Sequence, residues 1–196
     1  MFAVDHDGSD LLALIPRAKN YDRRPPVFNA QVQDRIISWL PEDPDHVLIQ
    51  LNRDDPNRPS VFRLNIHNNR LSRLLRPRTA VRRWYANHDG DVVMASGYVR
   101  ETEPVVYRFD GRVLHRFRDP AFSGELPPTP VGFSADSRYV YMSMTNGEDR
   151  HGVYKVRIED GIVVNTVFED PAFDVFGRLV LHPDTGEPGG VRYLRH

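Results

Sequence analysis

Cysteine is absent from this chain of 196 residues. Without it the chain can form no disulfide framework, no thiolate zinc site and no cysteine nucleophile. Lysine is scarce as well, because 24 Arg and 2 Lys make up the 26 basic residues, against 27 acidic ones. The resulting net charge of −1 excludes a basic nucleic-acid-binding domain as the default interpretation, and we expect no nucleic-acid partner.

Long apolar runs are also missing. Arg or Asp interrupts each apolar stretch within a few positions, whereas a membrane helix needs roughly 18 to 20 apolar residues. Residues 1–8 lack the charged start and the apolar stretch of a signal peptide. We therefore expect no membrane partner and favour the cytoplasm, with the periplasm as the alternative if the true N-terminus is missing.

What the sequence does contain is typical of β-structure. Valine outnumbers alanine by 22 to 10, and 16 Pro and 13 Gly are spread along the chain as breakers. Short apolar runs recur between turn clusters, for example 47–49, 92–94, 139–141 and 162–164, and each is too short for a stable helix. These features predict an all-β protein with one domain, 1–196, because 40% hydrophobic residues can supply a core.

An aromatic residue begins a repeated pattern. Trp39, Trp84 and Phe133 are spaced 45 and 49 residues apart, and each is followed by a polar turn and an apolar strand. A second aromatic follows 21 to 23 residues later, in the apolar-aromatic-basic-apolar segments that contain Phe62, Tyr107 and Tyr154. We assign the first three aromatics to packing between repeats and take all six as structural repeat positions.

A fourth strand closes each repeat after a tight turn. The predicted fourth strands are 71–75, 113–117 and 162–168. Four strands in about 45 residues are typical of a β-propeller blade. Neighbouring blades cover one another's faces, which is why such units occur in series.

The two ends of the sequence match parts of a blade. Phe2-Ala3-Val4-Asp5 and Leu11 match Phe62-Arg63-Leu64-Asn65 and Leu71 at an offset of 60, so the chain opens on a third strand. Near the other end, 175–181 and 191–194 flank a turn at 182–190 and provide a first and second strand. The prediction is a partial β-propeller with a half blade, three full blades and a half blade, at approximately 1–16, 34–75, 80–118, 129–168 and 174–194.

Two arrangements of these blades are open. The terminal halves could complete one blade and close a ring of four, or the chain could be an arc cut from a larger ring. Four blades is the low end of the known range, so the arc is favoured. An arc exposes a blade face at each end, which predicts poor solubility or self-association.

Several stretches resemble a known family. The segments 34–41, 43–49 and 60–65 resemble the propeller domain of bacterial prolyl oligopeptidase family serine peptidases, the dipeptidyl and acylaminoacyl peptidases. The segments 170–175 and 189–193 are similar to that family's last blades, and Asp-Pro-Ala-Phe occurs twice, at 119–122 and 170–173. The resemblance implies that this propeller covers an α/β-hydrolase domain and admits only small peptides to its active site.

The catalytic signature of that family is missing from the sequence. The nucleophile elbow needs Gly-x-Ser-x-Gly, and the nearest segment, 132–136, lacks the second glycine. We therefore interpret Ser134 as a turn residue, predict no catalytic residues, and expect that the chain alone is not an enzyme. The rival interpretation is a free-standing WD-repeat or TolB-like propeller that binds proteins or peptides, and an enzyme acting in the propeller channel ranks third.

The remaining polar motifs favour structural roles. The eight His show no ligand spacing and are interpreted as surface residues, and 5–10 is interpreted as a hairpin turn instead of a calcium loop. We accordingly predict no metal and no cofactor. The six Arg within 70–83 are interpreted as a solvated strand face and an inter-blade loop, and the acidic corner 100–103 is left without a role.

Overall fold

The structure is a computed structural model, and it describes residues 2–15, 35–117, 128–145, 150–175, 178–182, 185 and 187–193. Within these residues the chain forms sixteen β-strands and no helix, which confirms the all-β prediction. The strands belong to two units, residues 1–84 and residues 85–196.

The first unit contains a two-stranded hairpin followed by a four-stranded antiparallel sheet. The hairpin consists of β1 (Phe2–Ala3) and β2 (Leu12–Ala13). The sheet consists of β3 (Arg35–Ser38), β4 (His46–Leu51), β5 (Ser60–Asn65) and β6 (Leu71–Leu75), which pair in that order. Ile49 of β4 lies opposite Phe62 of β5, so the two side chains share one face of the sheet.

One apolar core joins this hairpin to the sheet. From β4 and β5 it receives the buried side chains Val47, Ile49, Leu51, Phe62 and Leu64. From the hairpin it receives Ala3, Leu12, Leu14 and Ile15. An isolated two-stranded hairpin is at best marginally stable in water, so this packing holds β1 and β2 in place.

A second four-stranded sheet follows, and the boundary between the two units falls inside its first strand. The strands are β7 (Val81–Ala86), β8 (Val92–Val99), β9 (Glu103–Phe109) and β10 (Leu114–Arg116). They pair in the order β10-β9-β8-β7, again as sequential antiparallel neighbours.

The second unit adds one more four-stranded sheet and a final hairpin. The sheet consists of β11 (Thr129–Phe133), β12 (Tyr139–Met144), β13 (Gly152–Arg157) and β14 (Val163–Phe168), and the hairpin of β15 (Arg178–Leu181) and β16 (Pro188–Arg192). Because strand side chains alternate, β12 contributes to two cores. Met142 packs in a core with Met94 and Val106, whereas Tyr141 packs in another with residues of the final hairpin.

The turn between the third and fourth strands has the same chemistry in each sheet. One side-chain oxygen of Asn65, Asp110 and Asp160 accepts backbone N–H bonds of 2.7 to 3.1 Å from residues two or three positions later. Gly111 and Gly161 follow two of these residues with φ angles of 89° and 80°, which glycine adopts without steric cost. This explains why Asp-Gly marks these turns in the sequence.

The three four-stranded sheets correspond to the three predicted blades, and the hairpins before and after them correspond to the two predicted half blades. Together they make up the predicted partial β-propeller. Some strand bounds differ from the expectation. β10 is shorter than the predicted 113–117, and β16 begins at Pro188, inside the segment predicted as a turn. The single-domain prediction and the choice between closed ring and arc stay predictions.

Candidate functional site

A cluster of catalytic-type side chains lies where β12, β13 and the segment after β14 meet. Ser143 Oγ lies 3.5 Å from Nδ1 of the buried His151 and donates to the Val175 carbonyl at 3.3 Å. Asp174 Oδ1 accepts from the backbone N–H of His151 at 2.8 Å, and the Val175 N–H donates to the His151 carbonyl at 2.9 Å. Burial lowers the pKa of His151, which keeps the ring neutral near pH 7.

The geometry of this cluster differs from that of a catalytic triad. In a triad the carboxylate bonds Nδ1 of the imidazole and the serine bonds Nε2. Here Asp174 bonds the backbone of His151, and Ser143 lies at Nδ1. The contacts fasten 174–175 to the edge of the β12–β13 pair, so the cluster is an anchor. The expectation that histidines lie on the surface is wrong for His151, because its ring packs under this segment.

Two more carboxylates fasten the same segment. Tyr154 donates its hydroxyl hydrogen to the Glu169 carboxylate, and Tyr193 donates to the Asp170 carboxylate. The other oxygen of Asp170 accepts from the N–H groups of Ala172 and Phe173 at 2.9 and 3.1 Å. The second Asp-Pro-Ala-Phe motif therefore caps a turn and holds the end of the final hairpin; the first copy, 119–122, lies outside the described residues.

Ser134 lies in the hairpin between β11 and β12. Its hydroxyl donates to Asp136 Oδ1 at 2.6 Å and accepts from the Tyr139 N–H at 3.0 Å. The Ser134 hydroxyl and Arg138 lower the pKa of Asp136 to about 2. These bonds are internal to the turn, as the sequence interpretation of Ser134 expected.

Of the six arginines in 70–83, Arg70 directly precedes β6, the others lie in β6, the following connection and β7, and most of the six are exposed. Arg73 Nη1 donates to Asp54 Oδ2 at 3.1 Å, and Ser60 Oγ donates to the same oxygen at 2.6 Å. Burial alone would raise the pKa of Asp54, but these two bonds and the positive charges of Arg73 and Arg53 together outweigh it and lower the pKa. In the acidic corner 100–103, Glu103 pairs with Arg116.

Other histidines bond to nearby acids, and the candidate calcium loop is a turn. His46, His67 and His115 contact carboxylates of Asp residues at 2.9, 3.1 and 2.6 Å. Asp7 Oδ1 accepts from the Ser9 N–H at 2.9 Å, and Gly8 has a φ of 86°, which makes 5–10 a hairpin turn. Among the residues that the structure describes, no group of three or more acidic or histidine side chains is arranged to hold a metal.

The first aromatic of the repeat does not have the same environment in all three blades. Trp84 is fully buried, donates from Nε1 to the Pro59 carbonyl at 2.9 Å, and donates from its backbone N–H to Gln50 Oε1 at 2.9 Å. Phe133 is also buried, but Trp39 is 72% exposed. The packing assignment is therefore wrong for Trp39. It follows the last residue of β3, and the next residue, Leu40, has a φ of 49° that turns the chain away.

The second aromatic of the repeat occupies an equivalent register in each blade. Phe62 lies opposite Ile49, Tyr107 opposite Ala95, and Tyr154 opposite Met142. Phe62 and Tyr154 are buried, and Tyr107 is half-buried. Each of the three residues therefore lies on the third strand of its own sheet and on the equivalent face of that sheet.

The outer face of the β1–β2 hairpin is apolar and exposed. Phe2 lies opposite Ala13, and Val4 and Leu11 continue the same face toward the turn. Phe2, Val4 and Leu11 are 66%, 56% and 69% exposed. We call these four residues the outer hairpin face. The sequence offset of 60 equates Phe2, Val4 and Leu11 with residues of a complete blade, and the favoured arc arrangement predicts an exposed blade face here.

The fold and its anchors place the chain among β-propeller modules. Solved structures of similar fold include TolB from Acinetobacter baumannii, with a TM-score of 0.57 and 14% identity over 91% of this chain. A solved structure of a candidate 6-phosphogluconolactonase from Bacteroides fragilis aligns with a TM-score of 0.43 and 16% identity over 94% of this chain, a TM-score too low to indicate a common fold. This chain covers 39% and 54% of those two chains, respectively, so it spans less than two thirds of either.

At 14% identity the likeness to TolB concerns the fold alone. No protein-family model matches the sequence, and no curated protein does either. Among the described residues there is no helix with the length and apolar character of a membrane span.

Proposed function

We propose that this chain is a non-catalytic propeller module that acts by binding a protein partner. The observation that carries the proposal is the exposure of Trp39. Trp84 and Phe133, which occupy the same position in the other two repeats, are buried. Trp39 is 72% exposed and directly follows the last residue of β3. Tryptophan is enriched among residues that dominate binding energy in protein interfaces, so an exposed tryptophan next to a β-strand is a suitable anchor.

The non-catalytic part of the proposal is supported by the roles of the catalytic-type side chains. Ser134 bonds within its own turn, and Ser143, His151 and Asp174 fasten a connecting segment. A general base or nucleophile needs a reacting group within hydrogen-bond reach. In the described residues these side chains instead reach other parts of the chain.

The test is a comparison of three forms of the full chain: wild type, Trp39→Ala and Leu74→Ala. Leu74 is an exposed apolar residue of β6 and serves as the matched control. The three forms are immobilised for affinity capture. A protein that both wild type and Leu74→Ala retain is identified, purified and titrated against all three forms. Trp39→Ala is expected to weaken Kd by at least about tenfold, with Leu74→Ala unchanged. Equal affinities for all three forms, or no partner at all, would contradict the proposal.

A second candidate function is the gating of a serine peptidase. Its support is the resemblance of 34–65 and 170–193 to the propellers of the prolyl oligopeptidase family, together with the bond that joins two of the resembling segments through Asp170 and Tyr193. In this form of the proposal the partner is an α/β-hydrolase domain, and the propeller admits only short peptides.

Sequencing the surrounding gene tests this candidate first, since it requires a reading frame that encodes Gly-x-Ser-x-Gly, then Asp, then His. If the frame exists, cleavage by the hydrolase domain is measured with and without this chain. Gating predicts that the chain suppresses cleavage of long peptides and leaves short ones cleaved. Suppression of both, or of neither, would contradict gating, as would the absence of the reading frame.

A further inference from the structure

The outer edge of the third four-stranded sheet is formed by β14. It is the last strand in the order β11-β12-β13-β14, and in the part of the chain that the structure describes no strand pairs with its other side. The three residues in its middle, Val164, Asn165 and Thr166, are exposed. An edge strand presents unpaired backbone N–H and C=O groups that can bond to another chain. β14 therefore offers a row of backbone groups to a partner strand.

β14 differs from the other five edge strands of the three four-stranded sheets. Proteins commonly protect sheet edges with charged side chains, proline or very short strands. The other five edges each carry Arg or Pro: Arg35 in β3, Arg73 in β6, Arg82 and Arg83 in β7, Arg116 in β10, and Pro130 in β11. β14 has the sequence Val-Val-Asn-Thr-Val-Phe, without charge, proline or glycine. Of these six edges, β14 is thus the one that the sequence leaves open to pairing.

The middle of β14 is in regular register with its neighbour. Asn165 lies opposite Lys155 and Thr166 opposite Tyr154, between two register shifts in the pairing with β13. We expect an added strand to pair along these central residues. Ile162 and Val164 are 46% and 43% exposed, so a partner strand with β-branched apolar side chains would cover apolar surface as well.

Acidic residues stand at both ends of β14. Residues 158–170 contain four acids and no Lys, Arg or His. Glu159 precedes the strand, Glu169 follows it, and both are exposed. The two bases of the adjacent β13, Lys155 and Arg157, are already paired with Glu187 and Asp160. A partner segment with Lys or Arg on either side of its centre therefore has the complementary charge.

The same charges disfavour a second copy of this chain as the partner. In an antiparallel pair of two β14 strands, residues 159–160 of one copy lie beside residues 169–170 of the other. A parallel pair brings identical acidic ends together. Like charges side by side on paired strands are destabilising, so self-pairing is the poorer use of this edge.

We propose that the edge of β14 binds an extended segment of another protein, which adds a fifth strand to the sheet. The segment carries β-branched apolar residues in its middle and Lys or Arg on both sides. In this mode of recognition backbone hydrogen bonds supply affinity and side chains supply specificity. The surface is separate from Trp39, which belongs to the other unit, so the inference does not depend on the binding of a partner there.

The first experiment titrates the full chain against a labelled decapeptide of alternating Thr and Val with two Lys at each end. Binding is followed by fluorescence anisotropy up to about 200 µM chain, a range that detects weak complexes. One control peptide has Glu in place of the four Lys, and another has Pro in place of its two central residues, which prevents strand pairing. Each control is expected to bind at least about tenfold more weakly. No binding of the Lys peptide, or equal binding of any control, would overturn the proposal.

A substitution in the chain locates the binding. Thr166→Lys places a charge at the centre of the edge, which blocks strand addition and repels the basic peptide. Ser72→Lys is the control, because Ser72 is an exposed residue of the edge strand β6. Thr166→Lys is expected to weaken binding of the Lys peptide by at least about tenfold, with Ser72→Lys unchanged. Circular dichroism checks that both variants keep the fold, and equal affinities for the two variants would overturn the proposal.

Hydrogen exchange of the wild-type chain separates strand addition from general attraction between charges. The Lys peptide is expected to slow exchange in 163–168 and to leave β6 unchanged, because paired backbone amides are protected. Binding without protection of 163–168 would overturn the proposal. Sedimentation velocity of the chain without peptide examines the other occupant. A dimer that Thr166→Lys dissociates would show that a second copy binds this edge, which also overturns it.

Discussion

At the scale of single residues, Trp84 is one of the largest fully buried side chains of the protein. It is fully buried, and its indole N–H donates to the Pro59 carbonyl. Trp84→Ala should lower the free energy of unfolding by about 3 to 5 kcal/mol, because burial is lost and a cavity remains. Urea denaturation followed by circular dichroism measures the change.

Trp39→Ala is the matched control for this measurement. Because Trp39 is exposed, its replacement should change the free energy of unfolding by no more than about 0.5 kcal/mol. Equal losses for the two variants would contradict the different environments of the two tryptophans.

His151 gives the second unit a dependence on pH. Burial lowers its pKa in the folded chain, whereas the unfolded chain has the ordinary value of about 6.5. As the pH falls through the unfolded value, the unfolded state binds the proton and the folded state does not. The stability contribution of the neutral ring is thus complete above about pH 6.5 and is lost progressively below it.

The expected result is a lower urea midpoint at pH 5.5 than at pH 7.5, with a smaller difference in His151→Asn. Asparagine keeps a polar group near Ser143 but does not titrate. Ser72→Ala, at an exposed site without a titratable group, should keep the wild-type dependence. If His151→Asn and wild type lose the same stability between the two pH values, another group controls the dependence.

At the scale of elements, the bond between Asp170 and Tyr193 holds the final hairpin to the segment after β14. Asp170→Asn keeps the oxygen that caps the turn and removes the acceptor for the tyrosine, and Tyr193→Phe removes the donor. Each variant should be destabilised, and the double variant by less than the sum. A coupling of about 1 to 3 kcal/mol is expected for a bond to a charged group. Additive losses in urea denaturation would show that the two groups act separately.

The strands were predictable from the sequence where turn chemistry and apolar alternation agree. β6 matches its predicted bounds of 71–75, because Asn68-Asn69 precedes it and Asn69 has a φ of 54°. β16 was predicted to begin at Val191, but it begins at Pro188. Proline supplies no N–H and is usually a breaker, yet the first position of a strand tolerates it, so the sequence pattern misplaced the boundary.

The anchors were less predictable than the strands. Asp170 and Tyr193 are 23 residues apart, and Ser143 and Val175 are 32 apart, so no local spacing reveals either contact. The exposure of Trp39 was not predictable from the sequence either. Its position in the repeat predicts packing, but the side chain is exposed, and the residue after it, Leu40, has a φ of 49° that the repeat does not predict.

At the scale of the whole molecule, the sheets follow one another along the chain, and each of the three cores described above draws its residues from sheets or hairpins that are neighbours in the sequence. The core with Phe62 lies within residues 1–84, and the cores with Met142 and Tyr141 lie within residues 85–196. In serial repeat proteins the stability is approximately a sum of local terms and nearest-neighbour terms. A substitution in one unit should therefore loosen that unit and leave the other protected.

Hydrogen exchange measured by mass spectrometry tests this locality in the full chain. Trp84→Ala should speed exchange in β4 and β5, whereas amides of β12 and β13 keep wild-type rates. Asp170→Asn should have the reverse effect, which makes each variant the control for the other. If both variants speed exchange equally in all four strands, the chain unfolds as one cooperative body and the division into two units has no energetic meaning.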